Sequence, residues 1–252
     1  MREARAILAT HRLSKEFQGF RAVNEVDLSV AEGTVHALVG PNGAGKTTLF
    51  NLLTGFLKPS AGRITFAGGE VAGEPPERIV RLGMARSFQV TSLFPRMTAR
   101  EHVELALQSG TGLGRSFWRS DKLMRRFSGR ARELLDEVGL AELAEQPADS
   151  LPYGRKRALE LALALALDPR LLLLDEPTAG MGLEDVDRTV ALIARIREGR
   201  TVVMVEHNMS VVASLADTVT VLQRGEVLAE GPYEHVKADP QVIEAYLGAD
   251  VA

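Results

Sequence analysis

GPNGAGKTT, Gly40 to Thr48, separates the apolar run VHALV (Val35 to Val39) from the helical pattern LFNLLTGF (Leu49 to Phe56). The spacing G-x-x-x-x-G-K-[ST] between a strand and a helix reads as a phosphate-binding loop. Gly40, Gly43 and Gly45 let backbone N–H groups converge on phosphate oxygens, and the helix start adds positive partial charge there. Lys46 supplies a point charge to the β and γ phosphates and Thr47 a hydroxyl for Mg2+, while Asn42 and Thr48 complete the polar cradle. The stretch predicts a nucleoside triphosphate site on an α/β sheet.

Outward from the loop, the chain alternates short apolar runs with helical segments, the pattern of a largely parallel sheet. VHALV, LLLLD (Leu171 to Asp175) and TVVMVEH (Thr201 to His207) predict strands buried on both faces. Each ends in polar residues on its C-terminal side, where open parallel sheets place their ligands. TVTVLQRGEVLAEG (Thr218 to Gly231) predicts a β-hairpin turning at Arg224-Gly225, and RITFAGGEV (Arg63 to Val71) a second. From about Val90 to Ala148 the strand signal gives way to helical segments such as TAREHVELALQ and GRARELLDEVGL, which place a helical subdomain over about residues 90–150.

Bulk properties bound the function. The 252 residues are 45% hydrophobic and 25% charged, enough for one large domain with a sizeable core. A net charge of −3 gives no bulk attraction to a polyanion, so no nucleic-acid partner is expected. Zero cysteines exclude a disulfide framework and Cys-ligated metal. MREARAILATHRLSKEF lacks a long apolar core, and no run approaches 18 uncharged apolar residues, so the chain is expected to be neither exported nor membrane-spanning.

The polar strand ends name the chemistry. Asp175 can orient the water shell of Mg2+ beneath the phosphates, Glu176 can act as general base toward an attacking water, and His207 can touch the γ phosphate or that water. SLPYGRKRALELALALAL (Ser150 to Leu167) poses an electrostatic puzzle. Arg155, Lys156 and Arg157 crowd the positive end of an apolar helix, where cations are unfavourable by a few tenths of a kcal/mol or more.

GPNGAGKTT, SFQ (Ser87 to Gln89), LPYGRKR, LLLLDEPTAG and VEHN stand in the order and spacing of ATP-binding cassette (ABC) ATPases over nearly the whole chain. The resemblance implies an α/β P-loop NTPase ABC ATPase core with an antiparallel β subdomain and an inserted α-helical subdomain, one nucleotide-binding domain over residues 1–252. It also implies ATP and Mg2+, and a head-to-tail homodimer or heterodimer in which each ATP lies between one subunit's phosphate loop and the other's signature turn. Gln89 would join the ATPase core to the helical subdomain and reach Mg2+ or water, and Phe17, with Phe20 as competitor, would stack on the adenine. LPYGRKR lies where the signature is usually LSGGQ, so the helix end and its cations would await the partner's γ phosphate. Pro152, Tyr153 and Arg155 depart from that pattern, leaving the contact to the Tyr153 and Gly154 amides, the helix dipole and Arg155. Gly182 departs too, standing where Asp is common, which puts communication between the two sites in question.

Within that family GFRAVNEVDLSV, TGFLKPSAGRI, RSFQVTSLFPRMT, DEPTAGM and AYLG resemble the ATPases of branched-chain amino acid importers. That resemblance implies polytopic permease subunits, an external solute-binding protein reached indirectly, and a peripheral place on the cytoplasmic face of the inner membrane. A lipopolysaccharide-exporter ATPase and a non-transport ABC ATPase stay open as alternatives. RSFWRSDKLMRRFSGRAR (Arg115 to Arg132) reads as a solvated basic face, with docking on lipid headgroups or permease as the other reading.

Overall fold

Residues 5–87, 93–110 and 121–247 are described by the computed structural model. The order is β1 (Ala6–Phe17), β2 (Phe20–Ala31), β3 (Val35–Val39), α1 (Lys46–Leu53), β4 (Ala61–Phe66), β5 (Gly69–Glu70), α2 (Pro76–Arg81) and β6 (Met84–Ser87). Then come α3 (Ala99–Gly110), α4 (Asp121–Glu137), α5 (Tyr153–Leu165), β7 (Leu171–Asp175), α6 (Leu183–Ile196), β8 (Thr201–Val205), α7 (Met209–Leu215), β9 (Thr218–Gln223), β10 (Glu226–Gly231), α8 (Tyr233–Lys237) and α9 (Pro240–Leu247).

One sheet has the order β10-β9-β3-β8-β7-β6, with every neighbouring pair parallel except β9 and β10. The four leucines of β7 show why it forms. Leu172 and Leu174 join a core with α5, α6 and α7, whereas Leu171 and Leu173 join a second core with α1, and all four are fully buried. A strand buried on both faces must be apolar at every position, which is what VHALV, LLLLD and TVVMV supply. The hairpin at Arg224-Gly225 forms as read from the sequence, Arg224 taking a φ of +51°. β6, pairing parallel with β7, is a strand that the sequence reading passed over.

A second, antiparallel sheet has the order β2-β1-β4-β5. The Arg63 to Val71 hairpin appears as β4 and β5, at the edge of a larger ladder built by β1 and β2. Period-2 alternation fails there for a local reason. The β1–β2 register shifts between Thr10 and Leu13, where Arg12 takes a φ of +45°, and Glu25 opposite takes +48°. Such bulges throw side chains onto the wrong face and hide a strand from a strict alternation test. Leu8, Leu13, Val26, Leu28 and Val30 still point into the α1 core. Between the sheets' elements, α3 and α4 pack together and against α5, joined by the isolated bridge Thr98 to Pro147.

Candidate active site

The phosphate loop leaves β3, His207 follows β8, and Asp175 ends β7, so adjacent parallel strands deliver these groups to one carboxyl edge. Two glycines in the loop are sterically required. A Cβ on Gly40 (φ +147°) would lie 2.1 Å from the Leu222 carbonyl oxygen, and one on Gly45 (φ +100°) would lie 2.4 Å from that of Ala22. The loop is thus clasped between β9 and β2. Gly45 caps α1 without a side chain and no acidic residue stands in the first turn, so its leading N–H groups have no side-chain cap. Lys46 is buried and donates to the Gly40 carbonyl at 2.6 Å and the Pro41 carbonyl at 2.9 Å. Burial lowers its pKa, opposed by the charges of Glu176 and Asp175. Asn42 and Thr47 are exposed and Thr48 half-buried.

Asp175 is 2% exposed and pairs through Oδ2 with Arg86 at 2.5 Å. The guanidinium also donates to Asn51 Oδ1 at 2.7 Å and lies 5.7 Å from the Phe50 ring centroid. Asn51 stands one helical turn after Thr47 in α1, so Arg86 ties Asp175 to the helix that the phosphate loop begins. Glu176 takes a φ of +47°, a conformation that costs a non-glycine residue about 1–3 kcal/mol and clusters at functional sites. That turn is held by its N–H donating to the Val205 carbonyl at 2.9 Å. The Glu176 carboxylate meets His207 Nε2 at 3.0 Å.

Glu206 organises both loops from below. Buried at 2% exposure, it accepts from the Thr178 N–H at 3.0 Å and hydroxyl at 2.6 Å through one oxygen, and from the N–H groups of His207 at 3.0 Å and Asn208 at 3.2 Å through the other. Sequence reasoning passed over Glu206, Arg86 and Asn51. The signal for Glu206 was a carboxylate closing a run that had to be buried, which demands several donors.

The puzzle at α5 has a local answer. Arg155 donates to the Gly139 carbonyl at 3.0 Å, Lys156 to the Asp149 carbonyl at 3.1 Å, and Arg157 to Glu160 at 2.9 Å in a buried pair. Arg155 and Lys156 thereby tie the helix start to the segments before it, whereas the Arg157–Glu160 pair lies within α5 itself. Pro152 caps α5 with no side-chain acceptor, leaving the Tyr153 and Gly154 amides without intrahelical partners. A Cβ on Gly154 would lie 2.8 Å from Asp185 Cγ, so the glycine admits the carboxylate.

The structure brings Lys46, Asp175, Glu176 and His207 together. Tyr153 and Gly154 instead approach Ala179, Gly180 and Asp185, downstream of Glu176. Phe17 is 42% exposed at the β1–β2 turn with the Lys15 ammonium 5.0 Å from its centroid, and Phe20, opposite it, is 66% exposed. Gln89 lies outside the described residues, as do 115–120 of the basic segment, whereas Phe127 in α4 is buried.

A glycine-bound phosphate cradle before a helix, with two carboxylates and a histidine at adjoining strand ends, defines a P-loop nucleoside triphosphatase. Residues 23–179 match the family described as ABC transporter, and residues 226–252 match that described as branched-chain amino acid ATP-binding cassette transporter. The chain belongs to the ABC transporter family, as an ATP-binding cassette. It is 41% identical to the high-affinity branched-chain amino acid transport ATP-binding protein BraF of Pseudomonas aeruginosa, over 97% of this chain and 99% of that protein. It is 38% identical to LivG of Escherichia coli strain K12, described in the same words, over 96% of this chain and 98% of LivG. Among solved structures, the ADP conformation of MJ1267, an ATP-binding cassette of an ABC transporter, superposes with a TM-score of 0.85 at 28% identity, covering 97% of this chain and 99% of that one.

Proposed function

We propose that this chain is the ATP-binding and hydrolysing subunit of an importer for branched-chain or related amino acids. The observation that carries the enzymatic part is the Glu176–His207 contact of 3.0 Å at the carboxyl edge that also bears the phosphate loop. Glu176 takes the proton from the attacking water, His207 orients that carboxylate and the γ phosphate, and Lys46 leaves the loop carbonyls to meet the β and γ phosphates. The donor set fits Mg2+: the Thr47 hydroxyl and the Asp175 carboxylate are hard oxygen ligands, and Gln89 follows β6 nearby in sequence. No cluster of three or more His, Cys, Asp or Glu able to hold a metal exists among the described residues, which suits an ion held largely by phosphate and water. Bound there, Mg2+ would neutralise charge developing on the phosphate oxygens.

The cargo assignment rests on the relatives and on the match of residues 226–252, which favour it over a lipopolysaccharide-exporter or non-transport ATPase. No helix among the described residues is long and apolar enough to cross a membrane; in this reading the path across it is formed by separate polytopic permease subunits, as the transport relatives suggest. In this reading the chain sits peripherally at the cytoplasmic face of the inner membrane. A second cassette, identical or not, completes each ATP site with Tyr153 and Gly154, and an external solute-binding protein delivers the amino acid. The test is mass spectrometry of proteins copurifying with tagged Glu176→Gln from detergent-solubilised native membranes in MgATP. Two polytopic subunits are expected, and ribosomal or repair proteins without a membrane partner would overturn the transporter reading.

A further inference from the structure

Tyr153 stands where the usual signature of this family has a glycine, and its side chain spans two functional segments of the same subunit. The phenol oxygen receives a hydrogen bond from Arg157 Nε at 3.2 Å and lies 3.2 Å from the Ala179 carbonyl oxygen. Arginine only donates, so the phenol accepts from Arg157 and its own hydrogen goes to Ala179. Both contacts are thereby of compatible polarity. The Arg157 guanidinium also covers the Tyr153 ring at 5.5 Å and is itself anchored by buried Glu160, which fixes the ring's direction. The phenol lies beside Gly180 (φ +73°), where an added Cβ would stand 3.8 Å from its oxygen.

Upstream, the same loop is clamped at Thr178 by Glu206. The three residues after Glu176 and Pro177 are therefore pinned at one end beneath His207 and at the other on the first turn of α5. We infer that Tyr153 is a positioning residue for hydrolysis: its hydroxyl couples the turn that would face a partner's ATP to the loop after Glu176, whose carbonyl accepts from the Ala179 N–H at 3.1 Å. The inference rests on the proposed function, because it assigns α5 a nucleotide-facing role. A glycine in the usual signature has no side chain with which to make this link, so coupling through a phenol belongs to the YG form of the turn.

Tyr153→Phe removes one oxygen and keeps the ring. In nucleotide-free full-length protein, hydrogen–deuterium exchange of peptides covering residues 177–182 should quicken roughly two- to tenfold, the range expected for one lost hydrogen bond. Steady-state hydrolysis should show kcat falling by a similar factor with KM unchanged. Unaltered exchange would overturn the inference, as would a raised KM at unchanged kcat, which would make Tyr153 a nucleotide contact instead. If the wild-type chain bound MgATP and never hydrolysed it, the ATPase reading would fall while the exchange result still decided whether the link exists.

Discussion

Arg86→Gln should destabilise the nucleotide-free protein by about 3–5 kcal/mol, the range for breaking a buried ion pair by removing one partner. Asp175 is 2% exposed and Arg86 10% exposed, so neither charge can turn to water when its partner goes. An exposed pair would be worth at most about 1 kcal/mol by comparison. The range of about 3–5 kcal/mol includes the lost stacking of the guanidinium over Phe50 and Phe56, about 0.5–1 kcal/mol for each ring. Against a typical whole-protein stability of about 5–15 kcal/mol this is a large fraction. At about 2–4 °C per kcal/mol for a chain of this size, Tm should fall by roughly 6–20 °C in a thermal unfolding scan without nucleotide. The decisive variant is the double substitution Arg86→Gln with Asp175→Asn, which leaves no buried charge and permits an amide–amide hydrogen bond. It should recover more than half of the single variant's loss, a coupling of the size seen for residues in direct contact. A loss below about 1 kcal/mol in Arg86→Gln, or additive losses in the double variant, would refute the view that this pair is desolvated and mutually dependent.

Other outcomes follow from single contacts. Glu176→Gln should abolish steady-state ATP hydrolysis while preserving ATP binding by calorimetry and favouring a closed dimer by light scattering; wild-type turnover would remove Glu176 as the base. Glu206→Ala deletes an acceptor of four hydrogen bonds and strands the two buried Thr178 donors, so stability should fall by about 3 kcal/mol in urea titration, with hydrolysis falling alongside. Leu173→Ala should cost about 2–5 kcal/mol, since the side chain is fully buried in the α1 core. His36 is buried against Thr220, and burial pushes its pKa from 6.5 down to about 4. Between those values the unfolded chain binds a proton that the folded chain refuses, so stability should rise with pH from 4 to 6.5, by about 3 kcal/mol at about 1.4 kcal/mol per tenfold change in proton affinity. His36→Gln should flatten that slope, measured as urea midpoints across the interval.

What was legible in the chain was whatever a few consecutive residues decide. VHALV and LLLLD announce strands buried on both faces because every position must be apolar, and Gly40 and Gly45 announce a turn that a Cβ would break against Leu222 and Ala22. β1 carries no strict alternation for such a window to show, because the Arg12 bulge shifts its period, a choice made by pairing with β2 rather than by β1 alone. The pairs that set the site's electrostatics are further apart: Arg86 meets Asp175 across 89 positions, and Glu206 meets Thr178 across 28. No window of sequence contains either pair, yet the burial requirement itself could have asked for them. A carboxylate at the end of a strand buried on both faces must have a cation or several donors beside it. The cations of α5 teach the converse. Three consecutive positive charges at a helix start looked like a waiting anion site, and each is satisfied within the chain by a carbonyl or a carboxylate. An unfavourable helix-dipole term of a few tenths of a kcal/mol is smaller than one charge-assisted hydrogen bond of about 1.5–3 kcal/mol, so the bonds made by these cations, two to segments before the helix and one within it, outweigh it. The charge pattern of α5 thus reports on how the helix is seated, and what its first turn does for chemistry has to be read from Tyr153 and Gly154.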